Sequence, residues 1–84
     1  SDGGMELLCI GTDHSERPLG VGTLRQYEDS LVFEGRRFPL GEIDSMALVQ
    51  THLLLLSYRG SYYQIQADNG ANLRKYFELW KGRR

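Results

Sequence analysis

From Tyr62 to Ala67 the residues alternate. Tyr63, Ile65 and Ala67 fall on one side, and Tyr62, Gln64 and Gln66 on the other. The period then changes, and Leu73, Tyr76, Phe77 and Trp80 recur at i, i+3, i+4 and i+7. The first pattern is a strand with one buried face; the second is the apolar stripe of a helix. Between them, Asp68-Asn69-Gly70 offers turn and N-cap chemistry. Gly82 is expected to stop the helix as a left-handed residue just past its end, with Lys81, Arg83 and Arg84 complementing the negative end of the dipole. A short helix with three aromatics on one face has to be covered, so it predicts a plug in a β-rich core.

Upstream, short apolar runs are separated by turn residues, as a meander of antiparallel hairpins requires. Met5–Thr12 reads as a strand buried on much of both faces, and Asp13–Gly20 as a polar loop containing Pro18. Val21–Glu28 reads as a strand with a bulge near Gly20 and Gly22. Asp29-Ser30 turns the chain into Leu31–Glu34, with Leu31 and Phe33 on one face. Gly35-Arg36 turns it again into the extended Arg37–Leu40, where Pro39 holds Phe38 in β conformation. After a short connection at Gly41–Asp44, Ser45–Gln50 leads to His52–Tyr58. The four leucines Leu53–Leu56 suit a strand, because the run is short and ends at Arg59-Gly60-Ser61, a hairpin turn. Leu54, Leu56 and Tyr58 then share one face, and Leu53, Leu55 and Ser57 the other. The expected fold is mainly β, about seven antiparallel strands followed by one C-terminal α-helix.

A length of 84 residues allows one small domain. Residues 1–4 are small and polar and read as a tail or a cloning remnant, leaving 5–84 as the domain. Ten Lys and Arg against eleven Asp and Glu, a net charge of −1, argue against nucleic acid as a partner. The longest apolar run, Leu53–Leu56, is far below the roughly 20 residues of a membrane-spanning helix. Cys9 is the one cysteine, so no internal disulfide is expected. It reads as a small core residue and not a reactive thiol. No secretory pattern opens the chain, and the expected location is cytoplasmic, with a membrane-peripheral position as the variant.

The segment Gly22–Gly35, with its glycine, turn and Leu-x-Phe strand, followed by Phe38-Pro39-Leu40-Gly41-Glu42-Ile43 and the terminal helix, resembles bacterial pleckstrin-homology-like or GRAM-like domains. The resemblance covers Met5 to Gly82. It implies a split barrel of two nearly orthogonal antiparallel sheets with the helix capping one open end. It also implies a non-catalytic module that binds protein or lipid, an accessory to a larger bacterial protein that handles lipid or sits at a membrane. Phosphoinositide-binding members carry several basic residues in the first loop. Here that loop sets Arg17 against Asp13 and Glu16, with Arg25 on the next strand, a poor cradle for a polyanionic headgroup.

Other chemistry is thinly represented. Asp13-His14-Ser15-Glu16 holds an acid, an imidazole and a hydroxyl, but triads are assembled from separate elements and not from adjacent residues. A small enzyme built on the His14 loop is the weakest reading. His14 and His52 lack metal-ligand spacing, with His52 expected at an exposed turn. No phosphate-binding glycine loop follows Gly20-Val21-Gly22, so no cofactor is expected. The candidate binding residues are the basic Arg36, Arg37, Arg74, Lys75, Lys81, Arg83 and Arg84, together with Tyr62 on the outer side of its strand. The leading expectation is a protein partner or neighbouring domain, with a homodimer as one form of it. Weak contact of the C-terminal basic residues with an anionic membrane, as a peripheral adaptor, is the alternative.

Overall fold

A computed structural model describes residues 2–67 and 70–83. The chain forms β1 (Asp2–Ile10), β2 (Glu16–Gln26), β3 (Ser30–Phe33) and β4 (Arg36–Pro39), then a 3-10 turn (Leu40–Glu42). It continues through β5 (Ile43–Val49), β6 (Leu53–Tyr58) and β7 (Ser61–Ala67) to α1 (Arg74–Gly82). The strands make one antiparallel sheet in the order β4-β3-β2-β1-β7-β6-β5, curled into a half-barrel. Strand β1 joins the halves, pairing with β2 on one side and β7 on the other. The halves therefore form one continuous sheet through β1, and the expected mainly β fold of seven antiparallel strands with one C-terminal helix is what the chain adopts.

Period-two alternation places the core. Leu7, Leu24, Leu31, Phe33, Leu54, Leu56 and Ile65 all point into the concave side and are buried. The helix closes that concavity. Leu73, Tyr76 and Trp80 are buried, while Phe77 is half-buried. Both buried aromatics with a polar tip satisfy it on the sheet. The Tyr76 hydroxyl donates to the Leu24 carbonyl on β2 (3.4 Å), and Trp80 Nε1 donates to the Ile43 carbonyl on β5 (3.1 Å). The helix thus ties the two halves together. Its entry is anchored on the β5–β6 turn, where the Leu73 N–H donates to the Thr51 carbonyl (2.7 Å).

Several local expectations change. Strand β1 starts at Asp2, which pairs with Leu24, so residues set aside as a tail enter the sheet. The expected loop Asp13–Gly20 shrinks, because Glu16–Gly20 pairs with β1. Pro18 is accommodated where the register slips by one residue: Leu8 faces Pro18 while Leu7 faces Gly20, leaving Leu19 as the bulge. Gly20, at φ +149°, supplies the conformation that bulge needs. One turn sits one residue off the expected Gly35-Arg36, on Glu34-Gly35, and the other lies on Arg59-Gly60, within the expected Arg59–Ser61. All four residues have positive φ, the pattern of two-residue type I′ hairpins.

Gly82 is not a left-handed stop but lies inside the last helical turn. Arg83, at φ −93°, follows it, and its N–H closes on the Trp80 carbonyl (3.1 Å), a turn that needs no positive φ. The expected caps Asp68 and Asn69 lie outside the described residues. At the helix start, Asn72 Oδ1 accepts the Arg74 N–H (2.9 Å). His52 lies in its turn but is half-buried, with its carbonyl accepting the Ala67 N–H (2.8 Å).

Candidate functional site

The register that buries one face of β5–β6–β7–β1 fixes what the other face shows. Glu16 on β2 pairs with Ile10 on β1, Ile10 with Tyr62 on β7, Tyr62 with Ser57 on β6, and Ser57 with Ser45 on β5. Paired residues point to the same side, so these five form a row across the outer face. The neighbouring row runs Leu8, Gln64, Leu55, Ala47. Together with the β1–β2 loop, these rows border a groove of about 780 Å³. Ile10 and Leu55 are half-buried, Ala47 is exposed, and Tyr62 is 59% exposed. Ser45 and Ser57 share a hydrogen bond between their hydroxyls (2.7 Å), so the far end of the row is already satisfied.

The loop at the groove's rim is tightly held. Asp13 Oδ1 accepts the Ser15 N–H (3.0 Å), the Gly11 N–H donates to the Ser15 carbonyl (2.8 Å), and the His14 N–H donates to the Gly11 carbonyl (2.9 Å). His14 sits at φ +67°. Hydrogen bonds from Ser15, first its side chain and then its backbone, hold the Asp13 carboxyl below the usual carboxylate range. The Asp13-His14-Ser15 cluster is thus tied into its own turn. Among the described residues, no group of three or more His, Cys, Asp or Glu side chains is placed to hold a metal ion.

Among the described residues, Tyr62 is the one candidate binding residue that lines the groove, and His14 of the β1–β2 loop lines it as well. Arg37 on β4 donates to Asp29 (3.1 Å), and both side chains are more than half exposed. Arg36, its neighbour, is exposed on the other side of the same strand. Arg74 lies 3.9 Å from Glu78, one helical turn on. The Lys75 ammonium stands 5.2 Å from the Tyr76 ring centre, and that of Lys81 stands 5.8 Å from Phe77. Arg83 is exposed past the helix, and Arg84 lies outside the described residues. The strand order puts β4 and β5 at opposite ends, and α1 packs against β5. The cations are therefore distributed over separate elements, several with partners of their own.

Sequence reading missed Ile10, Glu16, Ala47, Leu55 and Gln64 as a set. Their grouping depends on the pairing of β1 with β7, strands far apart in the chain. Comparison with known protein families, with curated proteins and with solved structures finds no match for this chain.

Proposed function

We propose that the chain is a non-catalytic binding module, pleckstrin-homology-like in architecture, that presents the outer face of β5–β6–β7 to a protein partner or neighbouring domain. The observation that carries this is the exposure of Tyr62 and Ala47 beside half-buried Ile10 and Leu55 on a face that nothing among the described residues covers. Exposed aromatic and aliphatic groups set together on a rigid sheet are the usual anchors of a contact surface. Four strands, then three, joined through β1 and closed by one C-terminal helix, support the pleckstrin-homology-like reading. A place in a larger bacterial protein that handles lipid, and a cytoplasmic or membrane-peripheral location, follow from that resemblance alone.

Photo-crosslinking tests the surface. With p-benzoylphenylalanine in place of Tyr62 in the intact parent protein, a discrete adduct should form. The same group in place of Tyr27, which is 52% exposed on the β2–β3 turn, should give none. Equal labelling from both positions, or none from 62, refutes the reading. The alternative, a peripheral adaptor acting through the C-terminal basic residues, is disfavoured by Glu78, which stands beside Arg74 one helical turn on. Phosphatidylserine-rich vesicles should therefore fail to sediment the protein at physiological salt.

A further inference from the structure

The outer row carries a charge as well as apolar surface. Glu16 and Tyr62 flank Ile10, one strand away on either side, so their backbones stand roughly 10 Å apart. Both side chains are exposed on the same face. Among the described residues, no cation pairs with Glu16 and no lysine or arginine lines the groove. Arg17, next along β2, alternates to the opposite side and faces Cys9. Arg59, on the β6–β7 turn, is tied to Glu42 (2.9 Å) and stacked over Tyr58.

We propose that this row is a binding site for a small organic ammonium ion carrying an apolar chain. The proposal rests on the reading of the outer face as a binding surface and goes beyond it, adding a small-molecule site to the protein contact proposed there. A carboxylate beside an aromatic face is the pairing that recognises an ammonium group: one supplies charge, the other the negative face of its ring. An ammonium group over Ile10 sits between the two. Its chain then runs past Tyr62 toward Leu55, two strands from Ile10, a side chain that demands no hydrogen bonds. The volume of about 780 Å³ lies in the range of small-molecule sites. An anionic ligand of equal length meets the Glu16 carboxylate, with no lysine or arginine among the described lining residues and the His14 imidazole as the one basic group at the rim.

The test is a ¹⁵N chemical-shift titration with hexyltrimethylammonium, with hexanoate as the control of opposite charge. The cation should shift the amides of Ile10, Glu16, Leu55 and Tyr62 saturably, and hexanoate should leave them in place. Glu16→Gln should weaken the cation about fivefold and Tyr62→Leu about threefold. Both positions are exposed, and an unchanged melting temperature checks that each variant is folded. Equal binding of cation and anion, or a Glu16→Gln affinity within about twofold of wild type, overturns the site. So does a peptide such as acetyl-Ala-Leu-Lys-Leu-amide binding much more tightly on the same amides, since that assigns the row to a peptide. If the crosslink from position 62 forms while the ammonium titration fails, the cation site falls and the binding-surface reading stands.

Discussion

Gly22 and Glu34 show how closely single residues are matched. Glu34 Oε2 accepts the Thr23 N–H (2.8 Å), and its side chain lies in the space a Cβ on Gly22 would occupy. Gly22→Ala should expel that carboxylate and cost about 1 kcal/mol in chemical denaturation. In a Glu34→Ala background the same substitution should cost clearly less, because the two effects share one contact. Asp13 sets a second expectation. Its carboxyl is held low in the folded loop, so its contribution is fully present above the ordinary aspartate range and is lost as pH falls through the lowered value. An NMR pH titration should place the Asp13 midpoint below that of free aspartate. Ser15→Ala should move it back up, and an unmoved midpoint would remove Ser15 as the cause. The type I′ turns were half legible at this scale. Gly35 and Gly60 mark them in the sequence, but the positive φ of Glu34 and Arg59 follows from the strand pairing on either side.

Among the elements, the helix is the most exacting. Trp80 is buried and spans from α1 to the β5 backbone. Trp80→Ala removes about 3–5 kcal/mol. Domains of this size hold net stabilities at the low end of roughly 5–15 kcal/mol, so the variant should be at the edge of unfolding at room temperature and melt far below wild type by circular dichroism. Trp80→Phe keeps much of the packing but leaves the Ile43 carbonyl without its donor, and should melt lower while staying folded. A Trp80→Ala protein with an unchanged melting temperature would refute the role of plug. The two sheet edges contrast in the same way. Strand β4 is four residues long with two arginines and Pro39, features that discourage pairing with another chain. Strand β5 is seven residues long and uncharged from Ser45 to Val49, with its start occupied by Trp80. The helical stripe and the β7 alternation were legible because each is written within one element. The extension of β2 back to Glu16 was not, since Pro18 argues locally for a loop and only β1 supplies the pairing.

For the whole molecule, the radius of gyration is 11.6 Å, close to the roughly 12 Å of a compact chain of this length. The continuous sheet divides its residues into a buried inner face and an outer face of mixed character. Function, on the present proposal, belongs to the outer face. A Tyr62→Ser variant should therefore lose the position-62 contact while its denaturation midpoint stays within the small range of surface substitutions, about 0.5 kcal/mol. Loss of stability comparable to that of Trp80→Ala would make Tyr62 a structural residue. Hydrophobic spacing along the chain was sufficient to determine the mainly β class, the seven strands, the terminal helix and most of the core, because alternation and the helical stripe are local records of which side is buried. Tertiary structure alone decided that β1 would join the two halves and that Glu16, Ile10 and Tyr62 would stand in one row. Ile10 and Tyr62 come from strands that meet only after a long stretch of chain closes, and a register shift of one residue would have sent either of them to the other face.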